Sequence, residues 1–338
     1  MTSQLLTAFQ LHLENNPLPS RRRQGAADKT VRGYVQDVSI FLRWWQGTFG
    51  EDLSSESLSR DTFQLNRKTL QDFLSWLQTG KGYVASTVLR YAASLRAFCL
   101  FLAATDAIQH DPTLGLRLPE KKRNEPKGLD DAQRSRFEAV FQSAWENKVT
   151  KRKRTYPTQA GLRLVRDKAI AFLMLYGGLR VEEVERTNLA DIDLHPRSGV
   201  VLIRQGKGFK ERDVPLPKPA RDALAAWLVE RAKLRIPHTA LFVALKAPDY
   251  VPLSKRSMQA MIVEAGQRSG LDRLDQPVTV TPHTLRHTYA YMLRQSGVSV
   301  EVRAEMSGHS IETAMKYGRP KAREKERAAE ALDEMVIG

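Results

Sequence analysis

The sequence predicts a mainly α-helical protein of two domains, with a small β-hairpin or sheet in the second. Three observations carry that reading. Apolar residues recur at spacings of three and four along most of the chain, the signature of amphipathic helices. One stretch, RLPEKKRNEPK at 117–127, holds two prolines, five basic residues and almost nothing apolar, and so reads as an exposed linker between two helical series. One run, Gly199–Arg204 (GVVLIR), is β-branched and is followed by a Gly-Lys-Gly turn and a second short extended segment, Arg212–Pro217. A length of 338 residues accommodates two domains of roughly 100–200 residues each.

In chain order, Thr30 is placed to cap a helix whose stripe runs through Val31, Tyr34, Val38, Phe41, Leu42 and Trp45. Similar stripes follow in Leu70–Leu77 and Thr87–Leu102, and no strand alternation interrupts them. Residues 1–116 therefore read as a small helical bundle, 117–127 as the linker and 128–338 as the second domain. Beyond the linker, Leu129–Phe141 and Leu162–Tyr176 are helical in pattern. Gly177-Gly178 breaks the second of these, and a short helix begins near Leu179 in LRVEEVERTNL. The hairpin comes next, and from Ala220 onward the pattern is helical again in several pieces.

Charge narrows the partner. Lys and Arg number 53 against 38 Asp and Glu, a net +15. Residues 1–127 carry 17 basic against 12 acidic residues and residues 128–338 carry 36 against 26, so both halves are basic. Such a surplus points to a polyanion bound with strong salt dependence, gripped from two sides. An acidic membrane surface is disfavoured, because no lysine-rich amphipathic helix carries an aromatic face. With 42% hydrophobic residues the chain has material for sizeable cores. No uninterrupted apolar stretch reaches the ~18 residues of a membrane span. The start, MTSQLLTAFQ, lacks a basic-then-apolar signal segment, so a cytoplasmic, nucleoid-associated location is expected. The single cysteine, Cys99, excludes an internal disulfide and a thiolate metal cluster; within the apolar run Ala97–Leu102 it reads as a buried, inert thiol.

Four segments of the second domain offer chemistry. In Gly178-Leu-Arg180-Val-Glu-Glu183, Arg180 sits just after the glycine break, where a guanidinium can fork onto two phosphate oxygens, and Glu183 follows on the same helix face. In Gly206-Lys207-Gly208, flanking glycines let the backbone approach a ligand and leave the lysine free to reach. In Thr281-Pro-His283-Thr-Leu-Arg286-His287, Thr281 and Pro282 suit an N-cap and first helical position, which sets His283 and Arg286 near a helix N-terminus suited to an anion. His283 and His287 have zinc-like spacing, but Arg286 between them opposes a divalent metal, and no metal or other cofactor is expected. In Ser307-Gly308-His309-Ser310, a histidine precedes a short helix ending at Tyr317, with Gly318 as the stop.

Taken in order, R…K…HxxR…GH…Y, these segments resemble the tyrosine recombinases (phage integrase family), including their Xer-like members. The blocks are YGGLRVEEVERTNLADIDL, GVVLIRQGKGFKERDVPLP and TPHTLRHTYAYMLRQSGVSVEVRAEMSGHSIETAMKY, spanning Tyr176 to Tyr317. A weaker helical match extends the resemblance over most of the chain. It implies a C-shaped DNA clamp, with a helical core-binding (SAM-like) domain in residues 1–116 and a catalytic domain in 128–338. Arg180, Arg286, Lys207, His283, His309 and the nucleophile Tyr317 would form the catalytic set, with Glu183 in support. The interval from His309 to Tyr317 is one residue shorter than the family's usual one. Tyr289 and Tyr291, the nearby rivals, lie inside the HxxR helix, where an apolar-facing structural role is expected. The resemblance further implies strand exchange through a 3′-phosphotyrosyl intermediate and a Holliday junction, by a homo-tetramer on two double-stranded DNA sites, the tail beyond Gly318 docking on a neighbouring subunit. Arg90 and Arg96 on the Thr87–Leu102 helix, together with Lys210 and Arg212, are the expected further DNA contacts. The competing readings are a non-catalytic DNA-binding regulator and a type IB topoisomerase-like relaxase.

Overall fold

The computed structural model describes residues 2–16, 27–53, 65–120, 128–149, 159–204, 211–246, 249–308 and 310–315. The chain divides into two compact units, Met1–Asn124 and Glu125–Gly338.

The regular elements among the described residues of the first unit are all helices. Its elements are α1 (Thr2–Asn15), α2 (Ala27–Phe49), α3 (Arg67–Ser75) and α4 (Ala85–Ala104), with a widened π turn, Trp76–Gly80, continuing α3. The anticipated stripe of α2 is the buried one: Val38, Phe41, Leu42 and Trp45 all lie in the core. Helix α2 begins at Ala27 rather than after Thr30, so Thr30 stands in its first turn. Asn66 caps α3, its Oδ1 accepting from the Thr69 N–H at 3.1 Å. Phe9 of α1, Phe41 of α2, Phe73 of α3 and Phe98 of α4 meet in one aromatic-rich core, each fully buried. Helix α4 is long and apolar enough to cross a membrane by length and composition, and 56% of its most apolar window is buried. Cys99 lies at its centre with no exposure, and burial pushes its thiol upward, away from reactivity. The start of the expected linker is tied down: the Gln71 side chain accepts from Arg117 N at 2.9 Å and donates to Arg117 O at 3.2 Å. Residues 121–127 of that linker lie outside the described residues.

The second unit is built around one buried helix. Its helices are α5 (Asp131–Val149), α6 (Gln159–Tyr176), α7 (Val181–Arg186), α8 (Lys218–Ala232), α9 (Lys255–Arg268), α10 (Pro282–Gln295), α11 (Val300–Ser307) and α12 (Ile311–Met315). Residues Ala169–Leu175 of α6 are buried without a break, because α5, α8, α9 and α10 all pack against it. Trp227 of α8 is wholly buried and donates through Nε1 to Leu241 O at 2.9 Å; its truncation to Ala costs about 3–5 kcal/mol.

The expected hairpin is present but belongs to a three-stranded antiparallel sheet, β1 (Ile192–Leu194), β2 (Gly199–Ile203) and β3 (Arg212–Pro215), in that order. The additional strand, Ile-Asp-Leu, is three residues long and too short to show alternation. Register aligns Ile192, Val201 and Val214 across the sheet and sets Ile203 opposite Arg212. The pattern from Ala220 onward is not helical throughout. Between α8 and α9 the chain is irregular, held by the buried Arg231, which donates to the carbonyls of His238 and Ala240, and by Arg166, which donates to Val243 O.

Candidate active site

The site is assembled from three places far apart in sequence: the α6–α7 break, the start of α10 and the end of α11. The break turns at Gly178, whose φ of +63° suits glycine. A Cβ there would also lie 2.1 Å from the Tyr289 ring, so the position is closed to other residues twice over. The turn delivers Arg180 to the cap position of α7, where the Glu183 carboxylate reaches back to its backbone N–H at 2.8 Å.

Helix α10 starts as its sequence suggests. Thr281 caps it, accepting from Thr284 N at 3.2 Å, and Pro282 follows at the first helical position. Thr288, fully buried, accepts from Leu129 N at 2.8 Å and so fastens the approach to α5 onto α10. His283 and Arg286 then project from the first turns of α10. Arg286 is 3% exposed and donates to the carbonyls of Gly178 and Ser307. Arg180 donates through Nη1 to Glu183 Oε1 at 2.7 Å and through Nη2 to Gly308 O at 2.8 Å. The two arginines are thus fixed to successive carbonyls of one turn. Gly308 makes that turn by taking a φ of +57° at the end of α11.

Glu183 is 7% exposed and accepts four donors from Arg180 and Arg212. Burial opposes its ionisation, but the hydrogen bonds and charge of Arg212, then of Arg180, outweigh burial and hold the carboxyl below its usual range. It is a carboxylate at neutral pH. Burial, then the charges of Arg286 and Arg180, push His283 below its ordinary value, so at neutral pH its imidazole is uncharged and able to accept a proton. The His287 ring lies 4.0 Å from that of His283, centroid to centroid, and is pushed down to about 4 by burial, His283 and Arg286. Among the described residues no group of three or more His, Cys, Asp or Glu gathers to hold a metal ion.

Arg180, Glu183, His283 and Arg286 therefore converge. Lys207, Lys210, His309 and Tyr317 lie outside the described residues, as does the tail from Gly318 on. Arg212, expected as a DNA contact, has a side chain 10% exposed that forks onto Glu183 and so braces the site from within. The reason lies in strand alternation, since Arg212 shares a face of β3 with the fully buried Val214. Of the rival tyrosines, Tyr289 is 4% exposed and its phenol is pushed up to about 12, chiefly by burial. Tyr291 is 37% exposed and so does not face the apolar interior. Arg90 and Arg96 are exposed on α4 of the first unit. The supporting parts missed in the sequence, the Gly178 and Ser307-Gly308 carbonyls and the Tyr289 ring under Gly178, involve backbone groups and a non-local contact, which no motif spacing encodes.

Comparison with known proteins gives the family and the fold. The family described as "Phage integrase family" matches residues 156–324, and "Phage integrase, N-terminal SAM-like domain" matches residues 21–106. Tyrosine recombinase XerC of Corynebacterium efficiens is 30% identical over 296 residues, 87% of this chain and 81% of its own. Tyrosine recombinase XerD of Xanthomonas axonopodis pv. citri is 30% identical over 293 residues, 85% of each chain. Among solved structures, the XerH site-specific recombinase bound to palindromic difH substrate, a post-cleavage complex, superposes with a TM-score of 0.70 at 17% identity, covering 98% of this chain and 97% of that one. The Tn1549 transposon integrase in complex with transposon right-end DNA gives 0.66 at 15% identity, covering 97% and 99%. At these identities the structural likeness speaks for the fold.

Proposed function

This chain belongs to the phage integrase family and is a site-specific tyrosine recombinase, an enzyme that breaks and rejoins DNA, and on that premise we propose that Arg180 and Arg286 grip one scissile phosphate for attack by Tyr317. The observation that carries the proposal is the shared turn: both guanidiniums are anchored to the adjacent carbonyls of Ser307 and Gly308, with Gly308 directly before His309 and nine residues before Tyr317 in the chain.

In the proposed step the Tyr317 phenolate oxygen bonds to phosphorus and the bond to the 5′-oxygen breaks. A 3′-phosphotyrosyl link remains and a 5′-hydroxyl leaves. The link conserves the phosphodiester, so the 5′-hydroxyl of a partner strand reverses the step without an energy source, first forming and then resolving a Holliday junction. Negative charge builds on the non-bridging oxygens, where preorganised guanidiniums act; losing one such donor costs on the order of 10²–10³ in rate, ~3–4 kcal/mol. His283, uncharged at neutral pH, accepts the phenol proton, needed because a tyrosine ordinarily ionises near pH ~10. Lys207 protonates the leaving oxygen, and His309 donates to the phosphate. Residues 1–116 serve as the core-binding part and 128–338 as the catalytic part, both acting on a specific duplex site. Four copies act on two sites, where the chromosome lies, with the tail from Gly318 on docked onto a neighbour.

Covalent capture tests this. On a nicked duplex carrying the target site, the wild-type chain should form a protein–DNA adduct that survives denaturant, and Tyr317→Phe should form none while still binding the site. An adduct with the Phe variant refutes the assignment of the nucleophile.

A further inference from the structure

Helix α4 of the first unit presents an exposed stripe of Ser86, Arg90, Ala93 and Arg96. The helix contains no Asp or Glu, so nothing on it repels phosphates. Its two arginines alternate with small side chains, which let a helix backbone come close to a groove about 12 Å wide.

Arg90 is held in an unusual way for an exposed arginine. Its side chain is 50% exposed, yet Nη1 donates to Oδ1 of Asp37 on α2, a residue only 3% exposed. The other carboxylate oxygen of Asp37 accepts from the fully buried Ser94 hydroxyl at 2.8 Å. The guanidinium also lies over the Tyr91 ring, 4.7 Å from its centroid, and Tyr83 stacks with that ring at 6.0 Å and 23°. Carboxylate and aromatic ring together fix both the direction and the plane of the fork.

A phosphate contact asks only for reach and charge, and a mobile side chain supplies both. Here the charge is countered by Asp37, which weakens the pull on a phosphate, while the fixed orientation suits a directional, forked acceptor. The base edge that takes a forked arginine is the guanine N7/O6 pair in the major groove. We propose that Arg90, oriented by Asp37 and Tyr91, reads a guanine and so helps set the target site of this recombinase, with α4 lying in the major groove. Arg96 on the same stripe contacts a phosphate. The inference rests on the recombinase reading above and adds to it a specificity-determining residue and its base.

The experiment is selection of bound sites from a randomised duplex library by the full chain, followed by binding measurements on the selected site and on a scrambled duplex. Wild type should enrich a motif. Arg90→Lys, which keeps the charge and can still meet Asp37, should lose preference at one G·C pair and keep the rest of the motif. Its affinity for the selected site should fall ~10-fold or more with little change on the scrambled duplex. Asp37→Asn should blur the same position, because the arginine remains but is no longer aimed. Arg96→Ala should instead weaken both duplexes alike and lower the salt slope by about 1. An unchanged motif with Arg90→Lys, or the Arg96 pattern appearing for Arg90→Ala, overturns the proposal while leaving the recombinase reading intact. A wild-type chain that enriches no motif overturns both.

Discussion

Arg212 of β3 forks onto Glu183 of α7, Nη1 donating to Oε1 at 3.1 Å and Nη2 to Oε2 at 2.9 Å. The same carboxylate holds Arg180 by its backbone and by its guanidinium. One buried acid thus joins the sheet to the arginine proposed to meet the phosphate. Its role is orientation: with both oxygens occupied by Arg212, Glu183 has one geometry to offer Arg180.

Removing either partner of this pair should therefore affect cleavage more than binding. Arg212→Met or Glu183→Gln leaves a buried charge poorly compensated, at a stability cost of about 3–5 kcal/mol. At a temperature where the variants stay folded, single-turnover covalent cleavage should fall ~100-fold while affinity for the site changes little. The double variant should lose less stability than the two single losses added. Additive losses in urea unfolding would show that the pair does not act as a unit.

Gly308 takes a φ of +57°, and a Cβ on it would stand 2.8 Å from the Arg212 guanidinium carbon. Gly308→Ala should cost about 1 kcal/mol in backbone strain. It should also shift the carbonyl that holds Arg180, so cleavage should drop by more than the loss of folded protein explains. Thermal unfolding and cleavage measured on one preparation check this; a cleavage loss that tracks the unfolded fraction would mean the turn does not position Arg180.

Lys207→Ala should slow cleavage strongly on ordinary DNA. A substrate whose leaving 5′-oxygen is replaced by sulfur needs little proton donation, so it should restore most of the rate. Comparing single-turnover rates on the two substrates isolates the acid, and absence of rescue would assign the leaving-group proton elsewhere.

Acid should weaken the fold through His287. Its imidazole takes up a proton near 6.5 when exposed and only at about 4 in the folded chain, because burial, His283 and Arg286 disfavour the charge. The unfolded state binds the proton first, so this contribution is present above pH 6.5 and is lost as pH falls from 6.5 toward 4. Glu183, whose carboxyl is held below its usual range, adds its own loss only at lower pH, beneath 4.5. In urea unfolding at pH 7.5 and pH 5, His287→Gln should lose less stability on acidification than wild type. Equal losses would trace the acid sensitivity to other groups.

Much of this protein is legible in its sequence, because local rules suffice for it. The stripe of Val38, Phe41, Leu42 and Trp45 marks the buried face of α2, and Thr281-Pro282 marks the start of α10, each through contacts a few residues apart. The spacing of Arg180 and Glu183 likewise encodes their pairing across one helical turn. Tertiary structure alone decided the rest. Arg212 lies 29 residues from Glu183 and 96 from Gly308, and its turn inward follows from the register that sets it opposite Ile203. That the two arginines share one turn depends on backbone carbonyls at Ser307 and Gly308, and every residue carries a carbonyl. Residue types and their local spacing specify which groups are present and which helix face they occupy; only packing across a hundred residues brings them to one point.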